Sequence, residues 1–395
     1  MASSIAYYLV VFVVFSEPLL KIPAQMMFPE SIPQMLNSTS PLSRNLFPLF
    51  PQYPQVVPVQ NLIPFQAAAP APPTTGVQTC ICVPIGTCTG IGTVSNPTTH
   101  VDGSGIIDIR IVNNPQGGTP STAPCFTGLQ RCCYAGPYQC GVRFPPVAGS
   151  PTHGQGQADY GKYPWQAVLL GPGDVYQGSG VLVDHLNVLT TAHKVANYSH
   201  GPSQLRVRLG EWNAAGDTEP LPAQEYVVSK IFVHPNFNAM NLVNDVAILR
   251  LSTPVPLGTF PTITTACLPV GSSVGSRCWV SGWGKNDFNG VYQTIQKEVD
   301  VPILAPAKCQ SELAATRLGA SFIFDATSFI CAGGEPGKDA CTGDGGSPLV
   351  CEMNGRHFVV GLTAWGIGCA GSNVPGVYVN VQSFLPFIQS SISAT

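Results

Sequence analysis

The chain has few charged residues and no apolar run long enough to cross a membrane. Lys, Arg, Asp and Glu make up 10% of its 395 residues, whereas a soluble domain typically has about 25%. A formal net charge of −3 excludes a chain-wide electrostatic grip on nucleic acid. The apolar run at residues 5–15 is too short to span a bilayer. The composition therefore favours neither a nucleic-acid-binding protein nor one that crosses a membrane.

Glycine, proline and cysteine are abundant instead. The 41 Gly and 38 Pro favour turn-rich β-structure and irregular segments over a helical bundle. Fourteen cysteines, an even number, indicate a disulfide framework formed in an oxidising compartment. The apolar run has the length of a signal peptide, so we expect residues 1–24 to be removed and the protein to be secreted. A retained anchor is the alternative.

Three further segments precede a long C-terminal domain. Residues 25–78 are rich in Pro and Gln and predict an extended spacer. Glycosylation sequons begin at Asn37 and Asn197. Residues 79–134 hold a dense cluster of cysteines, whose spacing predicts a small disulfide-stapled module rather than a zinc site, and residues 135–157 read as a linker. The cluster comprises Cys80, Cys82, Cys88, Cys125, Cys132 and Cys133.

Residues 158–395 show regularly spaced β-signals separated by turn residues. Examples are SGVLVDHLNVLTTAH, LRVRLGEW, VVSKIFVH, NDVAILRL, RCWVSGWG, HFVVGLTAW and GVYVNV. Such spacing is typical of an all-β barrel or sandwich, and the length favours paired barrels. A short helix is predicted at residues 383–391.

Several motifs in this domain resemble those of trypsin/chymotrypsin-like serine proteases. The sequence reads LTTAH at 189–193, NDVAIL at 244–249 and CTGDGGSP at 341–348, with YPWQ at 163–166 and SGWG at 281–284. The resemblance covers residues 159–395 and implies a double β-barrel. It also implies that His193 is the general base position, that Asp245 orients it, and that Gly345 stands at the nucleophile position.

This domain is not expected to be an enzyme. Acyl transfer needs an oxygen or sulfur nucleophile within hydrogen-bond reach of the base, and Gly345 has no side chain. Ser347 lies two residues on, which displaces it by about 6–7 Å in extended chain. The region before Pro164 also lacks the Ile-Val-Gly-Gly-like start at which active members are cut. Asp344 should therefore lack the partner that it has in active members, and the oxyanion hole should be unformed.

The resemblance implies further features of the domain. Asp339, Gly366 and Gly376 would form a vestigial specificity pocket for a basic side chain. The family disulfide next to the base is lost at both ends, where Lys194 and Gln177 stand. The remaining pairs would be Cys278–Cys351, Cys309–Cys331, Cys341–Cys369 and Cys140–Cys267.

The N-terminal cysteine module resembles the arthropod clip domain. CICVPIGTC at 80–88, DGSGIIDIRI at 102–111 and the cysteines at 125, 132 and 133 are similar to the clip module of insect serine protease homologues, as is HKV at 193–195. Among these homologues are prophenoloxidase-activating factors, so the resemblance implies a secreted, non-catalytic cofactor in melanisation and innate immunity. An upstream trypsin-like protease would cut it at Arg110, with Arg131 and Arg143 as alternatives.

By the same resemblance, the partners would be prophenoloxidase and its activating protease, and the cleaved protein would form homo-oligomers. We expect it in haemolymph or venom, with no nucleic-acid or membrane partner. The alternative function is a non-enzymatic binding protein, either a microbe-binding adhesion factor or a venom decoy. No cofactor is required, but an acidic loop offers oxygen ligands for Ca²⁺ unless it is merely solvated. Its carboxylates are Glu211, Asp217, Glu219 and Glu225.

Overall fold

The computed structural model describes residues 26, 78–84, 129–135, 139–144, 146–147, 149–216, 219–285, 290–338, 344–368 and 371–394. Several predictions fall outside these residues: the signal peptide at 1–24 and nearly all of the Pro/Gln-rich segment at 25–78. The same holds for the following predicted site residues: Asn37, Cys88, Arg110, Cys125, Asp217, Asp339, Cys341 and Cys369.

Two strands are described in the cysteine-rich module. β1 (Gln78–Pro84) and β2 (Leu129–Ala135) pair antiparallel. Their register sets Cys80 opposite Cys133 and Ile81 opposite Cys132. Directly opposed residues in an antiparallel pair lie about 4.5–5.5 Å apart at Cα. The ladder therefore brings together chain positions that are some fifty residues apart in sequence.

Six strands close the first barrel of the C-terminal domain. They are β3 (Gln166–Leu170), β4 (Tyr176–Leu182), β5 (Asn187–Thr190), β6 (Arg206–Leu209), β7 (Gln224–Val233) and β8 (Ala247–Leu251). Around the barrel the order is β3-β4-β5-β8-β7-β6. Alternate residues of each strand point inward, and branched aliphatic side chains fill the interior. The core includes Leu169, Leu182, Val188, Leu205, Val207 and Leu249.

Six further strands form a second antiparallel sheet. They are β9 (Arg277–Gly282), β10 (Lys297–Pro302), β11 (Phe329–Gly333), β12 (Pro348–Met353), β13 (Arg356–Trp365) and β14 (Pro375–Asn380). Their order is β10-β9-β12-β13-β14-β11. A bridge between Ile303 and Ala332 joins the ends of the two edge strands, so the sheet curls into a second barrel.

The α-helices are short, and each follows a strand in chain order. They are α1 (Ala192–Val195), α2 (Pro306–Ala314) and α3 (Leu385–Ser393), with 3-10 turns at Pro172–Asp174, Ala196–Tyr198, Pro202–Gln204 and Val381–Phe384. The helix predicted at 383–391 is present but begins at Leu385, because Pro386 suits only the first turn of an α-helix. None of the described helices is long and apolar enough to cross a membrane.

The predicted all-β double barrel is confirmed. The strands that the sequence did not indicate include β3, whose five residues QAVLL are all buried and therefore show no alternation of polar and apolar residues. Three disulfides are described, Cys140–Cys267, Cys278–Cys351 and Cys309–Cys331. These are pairs that the family resemblance implied.

Candidate functional site

A histidine and a buried aspartate meet at one end of the first barrel. β5 pairs with β8, with Thr190 opposite Ala247, so the helix after β5 and the residues before β8 lie side by side. His193 Nδ1 is 2.6 Å from Asp245 Oδ2, and the His193 backbone N–H donates to Oδ1 at 2.8 Å. The Asp245 side chain is fully buried, whereas 24% of the His193 side chain is exposed. The predicted base and its orienting carboxylate are thus brought together.

The residue that faces the free nitrogen of this histidine is glycine. A Cβ built on Gly345 would lie 3.0 Å from His193 Nε2. The loop is held between the barrels, because Ser179 N–H donates to Gly345 O at 3.0 Å and Gly346 N–H donates to Thr363 O at 2.9 Å. Gly345 therefore occupies a well-defined place beside the base, but it offers no atom that could attack a carbonyl.

Lys194 fills the space above Gly345. A Cβ on Gly345 would run into Lys194 Cε and would lie 3.3 Å from Nζ, and a Cβ on Gly178 would lie 3.1 Å from Lys194 Cδ. Burial lowers the pKa of Lys194, while the carboxylates of Asp344 and Asp245 act in the opposite direction. The sequence marks Lys194 only as the replacement of a cysteine. No sequence signal places its side chain over Gly345, because that contact joins two separate segments of the chain.

Ser347 does not substitute as a nucleophile. Its side chain is fully buried, and its Oγ would lie 2.9 Å from a Cβ built on Gly282 of β9. Among the described residues its hydroxyl has no hydrogen-bond partner, so it is not bonded to His193. A general base must be within hydrogen-bond reach of the proton that it removes.

Asp344, which we expected to lack the amine partner of active members, accepts a hydrogen bond from a backbone amide instead. Gly284 N–H donates to Asp344 Oδ1 at 2.9 Å. A Cβ on Gly284 would lie 2.5 Å from Asp344 Cγ, and one on Gly282 would collide with Oδ1. The glycines of the SGWG motif thus make room for this carboxylate, which binds a backbone amide.

Arg208 forms ion pairs with carboxylates of the predicted acidic loop. Arg208 Nη1 lies 3.1 Å from Glu211 Oε2, and Arg208 Nη2 lies 2.6 Å from Glu225 Oε1. Glu219 Oε1 accepts the backbone N–H of Asn213 at 2.7 Å. Within the described residues, which omit Asp217, no group of three His, Cys, Asp or Glu side chains is arranged to hold a metal ion. Three of the four predicted carboxylates are therefore close together, and a guanidinium lies among them.

The structure describes some of the remaining predicted site residues but not all of them. Gly366 follows β13, and Gly376 lies in β14 opposite Ala332, but their predicted partner Asp339 lies outside the described residues. Arg143, one alternative cleavage position, stacks on aromatic rings, with its guanidinium carbon 5.1 Å from the Tyr163 ring centroid and 5.7 Å from that of Trp165. Asn197 is exposed.

Comparison with known proteins agrees with this geometry. The sequence model of the trypsin family matches residues 153–388, a span that contains both barrels. The chain belongs to the trypsin family. A second model, described as the serine protease clip domain of PPAF-2, matches residues 72–134. This span of the trypsin-family chain contains β1 and all of β2 except Ala135.

Several known proteins are similar to this trypsin-family chain, and two of the following three have a clip domain in their names. Inactive CLIP domain-containing serine protease A3 of Aedes aegypti is 61% identical over 341 residues, or 84% of this chain and 71% of the relative. Phenoloxidase-activating factor 2 of Galleria mellonella is 41% identical over 258 residues, or 60% and 83%. Inactive CLIP domain-containing serine protease A28 of Anopheles gambiae is 36% identical over 245 residues, or 60% and 62%. The chain is a non-catalytic clip-domain serine protease homologue.

Proposed function

We propose that this clip-domain homologue is a secreted, cleavage-activated cofactor for prophenoloxidase activation. The observation that carries the proposal is the site itself. Both barrels and the His193–Asp245 pair are retained, while Gly345 and Lys194 remove the nucleophile and its space. A chain that keeps the fold without the chemistry can act through its surface, by binding other proteins.

The relatives support the choice of partners. One matching relative is a phenoloxidase-activating factor, and the clip-domain model that matches is that of PPAF-2. We infer a division into signal peptide, Pro/Gln-rich segment, clip domain at 79–134, linker and protease-like domain at 158–395. The partners are prophenoloxidase and its activating protease, and cleavage at Arg110 by a trypsin-like protease leads to oligomers. Haemolymph or venom is the compartment, with glycans at Asn37 and Asn197.

Reconstitution from purified proteins tests the proposal. Prophenoloxidase and its activating protease are combined with the intact chain or with the chain after limited cleavage, and phenoloxidase activity is measured. We expect a rise only with the cleaved form. Arg110→Gln should abolish the rise, whereas the matched variant Arg131→Gln should retain it. Loss of the rise only in Arg131→Gln would move the cleavage site to Arg131.

The alternative function predicts a different outcome in the same assay. A venom decoy would inhibit phenoloxidase formation whether or not the chain is cut, and a microbe-binding adhesion factor would leave it unchanged. Either result would contradict the cofactor proposal. The non-catalytic character of the chain would be unaffected.

Calcium binding by the acidic loop has a separate test. Arg208 already places a positive charge beside Glu211 and Glu225, so we expect millimolar Ca²⁺ to leave the melting temperature unchanged. In Arg208→Met the carboxylates lose this cation, and Ca²⁺ should then raise the melting temperature, because a ligand that binds only the folded state stabilises it. A rise of several degrees in the unaltered protein would show that the loop binds calcium despite Arg208.

A further inference from the structure

The outer face of β3 is apolar yet covered. Ala167 and Leu169 belong to the interior of the first barrel, so Val168 and Leu170 point outward, because successive side chains of a strand alternate between faces. Both outward side chains are nevertheless completely buried. They belong to a separate apolar cluster outside the barrel, made with Met26, Tyr176, Ala214 and Trp283 and flanked by Tyr292.

Met26 is the member of this cluster that comes from far away in sequence. It is 2% exposed, and it lies 142 residues before Val168 in the chain. Its backbone N–H donates to Ala214 O at 3.0 Å, while Ala214 N–H donates to Thr294 O at 2.7 Å. Met26 thus combines a buried apolar side chain with a main-chain hydrogen bond to Ala214, a turn residue that is itself 2% exposed. An apolar pocket for a side chain and a hydrogen bond to the main chain are two kinds of contact by which proteins hold a short peptide segment.

Two members of this apolar cluster are connected to the loop that carries Gly345. Tyr176 Oη is 3.0 Å from Ser179 Oγ, and the Ser179 N–H donates to Gly345 O. Trp283 precedes Gly284, whose N–H binds Asp344. A ligand in this pocket therefore packs against Tyr176 and Trp283, which lie next to the residues that hold the loop around Gly345 in place.

We propose that the outer face of β3 is a peptide-binding site, and that its ligand is the segment of the same chain that carries Met26. The site takes a short apolar segment, with the methionine side chain against Val168, Leu170 and Trp283 and the main chain on Ala214. Binding of a tethered ligand is intramolecular, so another peptide can bind the site only when the segment is displaced. The proposal stands apart from the prophenoloxidase role.

Peptide binding to the full chain tests this. A fluorescein-labelled peptide of residues 22–30 is titrated into the unaltered protein, Met26→Asp and the matched control Met240→Asp, whose methionine is 94% exposed. We expect binding by Met26→Asp, and at least tenfold weaker binding by the unaltered protein and by Met240→Asp. Met26→Ala removes the apolar side chain without burying a charge and should also bind the peptide better than the unaltered protein.

Two altered peptides test the two contacts. A peptide with Asp at position 26, and one N-methylated at Met26, should each bind at least tenfold more weakly to Met26→Asp. Equal binding to all proteins, or no binding to either Met26 variant, would overturn the proposal. A dimer that dissociates on the Met26→Asp change would overturn it too, because the segment would then come from a second copy.

Discussion

At the scale of single residues, two positions decide what the His193–Asp245 pair can do. Gly345 supplies no attacking oxygen, and Lys194 lies where a side chain at 345 would have to go. Gly346 is constrained as well, with φ at +83° and a Cβ that would lie 2.5 Å from Thr190 Oγ1. The histidine is therefore held in place beside a loop that has no room for a nucleophile.

We expect Gly345→Ser to remain inactive and to lose about 1–3 kcal/mol of stability, because overpacking against Lys194 forces shifts. Adding Lys194→Ala should recover the stability but not hydrolysis, since the family's activation N-terminus is also missing. Chemical denaturation and labelling by an active-site serine reagent measure the two effects. His193→Ala in the same background is the control for labelling. Strong hydrolysis by Gly345→Ser alone would contradict this account.

Glu211 should make stability depend on pH. Burial raises the pKa of Glu211 to about 8, its hydrogen bond and repulsion with Glu219 add to the rise, and Arg208 opposes it. The folded-state pKa lies above the ordinary value of 4.5, so protonation of the Glu211 carboxyl stabilises the folded state. That contribution is complete below pH 4.5 and is lost as the pH rises towards 8.

We therefore expect the melting temperature to fall between pH 5 and 8 and Glu211→Gln to flatten this fall. Thermal denaturation across the range measures it. Glu335→Gln, at a carboxylate that is 39% exposed and pairs with Arg277 and Lys338, should leave the slope unchanged. An unaltered slope in Glu211→Gln would show that Glu211 is ionised throughout.

At the scale of elements, an arginine of β8 holds the C-terminal helix. Arg250 Nη1 donates to Ala394 O at 2.8 Å, and Nη2 donates to Ser391 O at 2.8 Å and Ile392 O at 2.9 Å. The last carbonyls of a helix lack partners within it, and a cation there also meets the negative end of the helix dipole. The first barrel thus anchors α3.

We expect Arg250→Ala to lower the free energy of unfolding by about 1.5–3 kcal/mol, the range for hydrogen bonds from a charged group. The exposed Arg317 provides the matched variant, and Arg317→Ala should change it by less than about 0.5 kcal/mol. Urea denaturation measures both. Equal effects would mean that the contacts with α3 contribute nothing.

At the scale of the whole molecule, the linker is fastened to the second barrel. Cys140 forms a disulfide with Cys267, and His357 N–H donates to Gly141 O at 2.9 Å. Arg143 then stacks on Tyr163 and Trp165, a contact worth about 0.5–2 kcal/mol. A protease that needs this arginine in its own pocket must first pull it off the rings.

We expect limited digestion by a trypsin-like protease to cut after Arg110 before it cuts after Arg143. Mass spectrometry of the early fragments identifies the first bond broken. Arg110→Gln should delay the first cut. A first fragment that begins at Phe144 would contradict the protection of Arg143.

Local sequence patterns are enough to predict the fold class, the family and the lack of catalysis. Seven strand patterns and the motifs around His193, Asp245 and Gly345 are local, and a missing side chain at a motif position is visible without coordinates. In the C-terminal domain these patterns do not indicate β3 or β10–β12; β3, buried on both faces, has no period-two pattern.

The surroundings of those positions, in contrast, could be known only from the folded chain. That Lys194 lies over Gly345, that Gly284 binds Asp344, that Arg208 lies among the loop carboxylates and that Met26 covers β3 all depend on residues that approach from separate elements. Sequence motifs record which residues a strand or loop carries. Side-chain reach and packing between distant segments arise only when the barrels close, because these contacts depend on distances across the fold rather than along the chain.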